Sequence, residues 1–197
     1  MSEQKTSRRQ QILETLALQL EKSPGQTITT AALAKAVGVS EAALYRHFAS
    51  KAKMYDALIE FIEDSVFSLI NRIMDEEKSA IVRCEKTLTM VLAFTQKNPG
   101  LTRLLMGDIL VGETERLRKR IDKFFERFET QIKQILREGE ASSELVKGSS
   151  IPAQASLLVS VVQGRIQQFV RSEFKSQPLE YWDQQWPMLA LILRQAG

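Results

Sequence analysis

Apolar positions along the chain recur at the three- and four-residue steps of amphipathic helices. Ile12, Leu13, Leu16, Ala17 and Leu20 predict a helix over Ser7 to Lys22. After the turn signal Ser23-Pro-Gly-Gln-Thr27, Thr29 or Thr30 can cap a short second helix that ends at Gly38. Gly38 can adopt the left-handed conformation that stops a helix, Val39 can plug the corner, and Ser40 can cap a third helix over Glu41 to Phe48. Ser50 can cap a long fourth helix to about Glu77, with Met54, Leu58, Ile62, Val66, Leu69 and Ile73 as its inward stripe. Further helices are predicted over Ala80 to Gln96, Leu101 to Met106, Leu110 to Glu138, Ala153 to Lys175 and Leu179 to Gln195. Asn98-Pro-Gly100 marks a sharp stop, and Gly139 to Ser150 the one long loop.

The expected fold is therefore all-α, with about nine helices: a three-helix N-terminal domain over 1–53 and a larger helical domain over 54–197. Composition agrees. The chain has 197 residues, 44% hydrophobic and 26% charged, with 9 Gly and 5 Pro, too few breakers for a sandwich or barrel. Its first residues are polar, and no apolar run approaches the roughly 18 residues that span a bilayer, so a cytoplasmic location with no membrane contact is expected. From Ala155 to Val162 every residue is Ala, Ser, Leu or Val, and Trp182, Trp186, Leu189, Ile192 and Leu193 follow. Helices apolar on all sides must be covered on more than one, either as fully buried core or as the interface of a homodimer.

Charge is unevenly placed. Residues 1–53 hold eight Lys and Arg against four Asp and Glu, while the rest of the chain carries 19 against 20. A basic head on a near-neutral body suits attraction to phosphate. Catalytic chemistry finds little support: there is one cysteine, Cys84, expected to be a small packing residue, and one histidine, His47, with no Gly-rich phosphate loop or Ser-centred elbow. An enzyme is not expected, nor a cofactor or metal. Asp108 has the character of an ordinary helix-surface carboxylate.

The run from Thr29 to Lys53 carries the functional pattern. Leu33, Val37, Leu44 and Phe48 can share one small core, and Ala34 lets two helices cross closely. That leaves Ala42, Ala43, Tyr45, Arg46 and His47 on or beside the outer face of the third helix, a shape that fits the major groove. This stretch resembles the helix-turn-helix of the TetR family, most specifically in Leu44-Tyr45-Arg46-His47-Phe48 followed by Lys51. The resemblance implies that Tyr45 and His47 reach phosphates or base edges, that Lys51 clamps a phosphate, and that Thr29, Thr30 and Ser40 anchor helix ends to the DNA backbone. Ala42 and Ala43 offer methyl contacts to thymine, and Arg46 can read guanine or a phosphate. Arg8 and Arg9 are expected to form an arm over the backbone or minor groove.

Beyond the head, Phe61-Ile62-Glu63-Asp64-Ser65, Asn98-Pro99-Gly100-Leu101-Thr102-Arg103, Phe169 to Lys175 and Trp186-Pro187 resemble the nucleoid occlusion factors, a branch of the TetR family. That resemblance covers the whole chain. It implies a nucleoid-associated homodimer that binds palindromic chromosomal sites and, on DNA, engages the C-terminal tail of the tubulin-like division protein FtsZ to block ring assembly over the nucleoid. The partner groove implied lies between the fourth and fifth helices, bordered by Phe61, Asp64, Ser65, Met90, Phe94, Lys97 and Asn98. The chain departs from the family pattern at Leu69 and Ala93, where arginine and glycine are expected, and at Lys97, which replaces an arginine. The competing expectation is a TetR-type repressor whose body encloses a pocket for a small molecule.

Overall fold

The computed structural model describes residues 7–23, 26–110, 115–145, 148 and 150–194, and all regular structure among them is helical. Nine helices are present there: α1 (Arg8–Lys22), α2 (Thr30–Val37), α3 (Glu41–His47), α4 (Lys51–Glu76), α5 (Ala80–Lys97), α6 (Pro99–Met106), α7 (Glu115–Ala141), α8 (Ile151–Arg171) and α9 (Trp182–Arg194). The expected turn at 23–27 is described only in part, since Pro24 and Gly25 lie outside the described residues, as do 111–114 of the expected seventh helix and Gln195 of the expected last one. The boundary expected at 53/54 falls inside α4. Two compact units emerge, one of residues 1–62 with 98–121, the other of 63–97 with 122–197.

In the first unit, Ile12, Leu16 and Leu20 of α1, Leu33, Ala34 and Val37 of α2, Leu44 of α3, Phe48, and Met54 and Leu58 of α4 are buried together. α6 completes this core by packing on α1. Pro99 does not merely end α5; it occupies the first turn of α6, where its missing N–H leaves no helical hydrogen bond unmade. Gly100 then lies so close to α1 that a Cβ there would stand 2.0 Å from the Ala17 carbonyl oxygen. Arg103, 2% exposed, donates from Nη1 to the carbonyls of Leu20 and Ser23, at 2.8 and 2.7 Å, and from Nε to Asp108 at 2.9 Å. It satisfies carbonyls that the end of α1 would otherwise leave orphaned. Asp108, expected to be an ordinary surface carboxylate, is the counter-ion of this buried guanidinium.

The stripe of α4 holds as far as Val66 and then drifts. The 3.6-residue period brings Phe67 and Ile70 inward and leaves Leu69 38% exposed.

In the second unit α5 packs against α8 and α9. Cys84, Leu88, Val91 and Leu92 of α5, Leu158, Val162, Ile166 and Phe169 of α8, and Trp182, Trp186, Ala190 and Leu193 of α9 are buried. Trp182 Nε1 donates to Thr89 Oγ1 at 2.7 Å. Cys84 is a buried packing residue, its thiol pushed up to about 12 by burial and, secondarily, by the Glu144 charge. α8 stops at Arg171, four residues before the expected Lys175, because Glu173 and Phe174 turn left-handed (φ 52° and 67°) and the Phe174 N–H caps the Phe169 carbonyl at 2.8 Å. The Phe174 ring packs on Phe169 at 5.1 Å. α9 starts at Trp182, after Tyr181 at φ 58°. Arg165 ties this connection down by donating to the carbonyls of Pro178, at 2.6 Å, and of Glu180.

The expected long loop is shorter, because α7 continues through Gly139 to Ala141. Glycine is required there: a Cβ would come within 2.7 Å of the Ala80 methyl and 2.6 Å of Leu145. Of that loop, 146, 147 and 149 lie outside the described residues. Glu144 reaches back from it to the start of α5, accepting from Ser79 Oγ, from Ala80 N at 2.6 Å and from Ile81 N at 3.2 Å. Partial burial tends to raise the pKa of this carboxyl, but those hydrogen bonds and the Arg83 charge outweigh it and hold the group below the ordinary glutamate value.

Because the folded-state pKa is depressed, the ionised cap stabilises the fold above the unfolded value of about 4.5 and loses that effect as pH falls through the lower folded value. Glu144→Gln should therefore cost about 1 kcal/mol at pH 7. By thermal denaturation across pH, the gap between wild type and variant should close below pH 4; a gap that is the same at pH 7 and pH 3 would show that the ionised carboxylate is not the cap.

Candidate nucleic-acid interface

The outer face of α3 is set by local rules. Thr29 is the N-cap of α2, its hydroxyl accepting from Ala32 N at 3.2 Å, and Gly38 closes that helix at φ 77°. Glycine takes this conformation without the cost a Cβ would add. Ser40 caps α3, accepting from Ala43 N at 3.1 Å, and Ser50 caps α4 by accepting from Lys53 N at 3.2 Å. With Leu44 and Phe48 buried, the helical period turns Ala42, Tyr45, Arg46 and His47 outward, where all four are exposed; Tyr45 is 44% exposed and Ala43 half-buried. A tyrosine that served as a core wedge would not be so open.

The expected anchors belong to the same compact unit as this face. Thr29 and Ser40 use their oxygens to accept capping bonds, so each hydroxyl proton stays available for a phosphate oxygen. Thr30 differs: it donates to Glu41 Oε2 at 2.8 Å, so its proton already has a protein acceptor. Lys51 starts α4, half-buried, with its ammonium 5.3 Å from the Tyr55 ring centroid. Arg8 and Arg9, expected to form an arm, occupy the first turn of α1; Arg8 donates to Gln11 Oε1 at 2.7 Å, and the Arg9 guanidinium lies 4.6 Å from the Phe48 ring centroid.

One cluster beside the interface is not evident from the sequence. Asp56 of α4 accepts from Arg116 Nη2 at 2.9 Å and Arg120 Nη1 at 2.6 Å, both on α7, with Lys53 Nζ 3.6 Å away. Partial burial tends to raise the Asp56 pKa, but the bonds and charges of Arg116 and Arg120 outweigh it and hold the carboxyl below its ordinary value. Only the concentration of cations at 116–120 hints at this in the sequence; the pairing spans 60 residues and more.

The residues expected to border a partner groove divide between the units. Phe61, 48% exposed, and the half-buried Asn98 belong to the first unit. In the second, Asp64 and Lys97 are exposed, while Ser65, Met90 and Phe94 are half-buried. An apolar groove of about 470 Å³ runs there between α4 and α5, lined by Ile73, Val82, Thr89, Met90 and Ala93 with Glu85 and Lys86 at its edge. Met90 is the one member of the expected set that lines it. No group of three or more potential metal ligands occurs among the described residues.

Family models match the chain twice: the description "Bacterial regulatory proteins, tetR family" at residues 20–58 and "Tetracyclin repressor-like, C-terminal domain", of the SlmA-like type, at 78–194. The nucleoid occlusion factor SlmA of Marinomonas sp. is 55% identical over 190 residues, covering 96% of each chain. That of Shewanella amazonensis is 52% identical over 197 residues, covering 99% of each. Among solved structures, a TetR transcription regulator from Haloarcula marismortui superposes with a TM-score of 0.79 at 18% identity, covering 95% of this chain and 98% of that one. Helix-turn-helix, all-α body and whole-chain identity agree: the chain belongs to the nucleoid occlusion factor SlmA family, within the TetR family of bacterial regulatory proteins.

Proposed function

We propose that this protein is a nucleoid occlusion factor: a homodimer that reads palindromic chromosomal sites with α3 and, on DNA, binds the C-terminal tail of FtsZ through α4 and α5, blocking division-ring assembly over the nucleoid. The observation that carries this reading is the outward set Tyr45, Arg46 and His47 on α3, flanked by the hydroxyls of Thr29 and Ser40 and by Lys51, in a chain more than half identical to nucleoid occlusion factors over nearly its whole length. In the bound state Ala42 and Ala43 supply apolar contact to bases, Thr30 exchanges Glu41 for a phosphate, and Phe61, Asp64, Ser65, Met90, Phe94, Lys97 and Asn98 receive the tail. Exposed apolar side chains on α8 and α9, Leu157 at 47%, Met188 at 67% and Leu191 at 52%, support the homodimer, since a second copy of the same face would cover them.

Three measurements test this reading. Sedimentation should find a dimer that persists at nanomolar concentration, and Leu191→Asp should release monomer; a wild-type monomer would remove the two-headed geometry that a palindrome requires. Tyr45→Ala and Lys51→Ala should melt like wild type, because neither side chain belongs to the Leu33, Leu44 and Phe48 core, yet both should weaken binding to a selected duplex. Lys51→Ala should also reduce the salt slope by about 0.9 for each phosphate it no longer neutralises, and an unchanged slope would mean that this lysine does not touch the backbone. Fluorescence anisotropy of a labelled FtsZ tail peptide should show weak binding that tightens on adding the duplex by a factor of roughly 5 to 150, with the peptide tightening DNA binding equally. Phe61→Asp should abolish peptide binding and leave DNA affinity nearly intact; peptide bound equally well by this variant would rule out the α4 contact.

A further inference from the structure

We infer that the cationic first turns of α7 form a second DNA-backbone contact, a ledge beside the helix-turn-helix that grips phosphates flanking the base pairs α3 reads. This rests on the DNA-binding reading above and extends the contact to residues that lie far from the helix-turn-helix in sequence.

Four of the five residues from 116 to 120 are cations, Arg116, Arg118, Lys119 and Arg120, and the compact unit that contains α3 also contains them. Such a run is unfavourable for the helix itself, because like charges three and four residues apart, Arg116 with Lys119 and Arg120, repel one another. A sequence concerned only with stability would place carboxylates there; Glu115 alone does so. Asp56 partly offsets the repulsion by pairing with Arg116 and Arg120, and that pairing fixes where the turn sits. Asp56 lies five residues along α4 from Lys51, about 7.5 Å of helix rise, so the pair holds the start of α7 close to the end of α4 where Lys51 meets the backbone. Lys53, with its side chain 58% exposed, stands in the same cluster, and Arg116 and Lys119 are 55% and 68% exposed. Arg118 is exposed as well. Lys53, Arg116, Lys119 and Arg120 thus meet two carboxylates, Asp56 and Glu115, leaving a positive excess on the helix that begins with Lys51 and on the α7 face paired with it, while Arg118, two residues from Arg116 and from Arg120, stands on another side of α7. A surface of that sign and place complements a run of phosphates, which carry one negative charge each and need no base-specific geometry.

The test uses full-length dimer and a site recovered by selection from random-sequence duplexes, embedded either without flanks or with about one helical turn, roughly ten base pairs, on each side. The variant is Lys53→Gln with Lys119→Gln, which leaves the Arg116 and Arg120 pairs with Asp56 in place and removes only two exposed ion pairs, one with Asp56 and one with Glu115, of little weight for folding. On the flanked duplex the double variant should bind roughly tenfold more weakly, with a salt slope smaller by about 0.9 for each phosphate left without its cation. On the bare site it should match wild type, and wild type itself should lose affinity when the flanks are trimmed. Equal loss on both duplexes, or none on either, overturns the ledge. If Lys51→Ala still weakens binding in that case, the helix-turn-helix reading stands alone; if wild type binds neither duplex, both readings fall.

Discussion

The close approach of α6 to α1 is the constraint on which the DNA-reading unit depends. Gly100 admits the Ala17 carbonyl where any side chain would collide, and Arg103, buried, takes up the carbonyls at the end of α1. A head of about 50 residues buries too small a fraction of its surface to be comfortable alone. Here α1 to α3 share their core with α4 and α6, and their unit takes in chain from beyond residue 98. The arrangement is costly to disturb. Removing Asp108 would leave the Arg103 guanidinium, 2% exposed, without its counter-ion, and Arg103 holds two backbone groups besides.

What was legible in the sequence was what short-range chemistry decides. The Ser40 cap, a cap at Thr29 or Thr30 that the fold resolves to Thr29, the left-handed Gly38 corner and the core of Leu33, Val37, Leu44 and Phe48 all lie within a window of 20 residues and could be placed without knowing anything else. The outward set on α3 followed by elimination. Contacts between distant segments were not legible. An arginine reads as a surface residue, so nothing local marks Arg103 as buried; Gly139 reads as a loop residue, although its place is a helix crossed by Ala80 and Leu145. The end of α8 escaped for a related reason. A left-handed stop is recognisable when glycine supplies it, and here Glu173 and Phe174 do, held by the backbone bond and ring contact of Phe174 with Phe169.

The same distinction explains the charge map. Taken by position in sequence, the positive excess belongs to residues 1–53 and the rest is near neutral. Taken by position in the fold, the 116–120 cations belong with the head, and the carboxylate that recruits them, Asp56, sits on the helix that starts with Lys51. A pattern that looks like an ordinary solvated helix face becomes part of the positive charge of the first unit once the pairing is known.

The two proposed interfaces then differ in their physics. The DNA face is built from hydroxyls, guanidiniums and ammonium groups, so its affinity falls steeply as salt replaces protein at the phosphates. The α4 and α5 surface of the second unit offers chiefly apolar contact: Leu69 is an exposed large hydrophobic, and Ile73, Val82, Met90 and Ala93 line the groove. With leucine at 69, where the resemblance implies an arginine, one cation is missing, and Lys97 keeps a charge without the planar fork that pairs with a carboxylate at two points. Tail binding on this surface should accordingly depend more on buried apolar area than on ion pairing, and raised ionic strength should weaken it far less than it weakens the grip on DNA. Any decline in tail binding at high salt would then arise mainly through release from DNA, because the coupling that favours the bound partner disappears with the duplex.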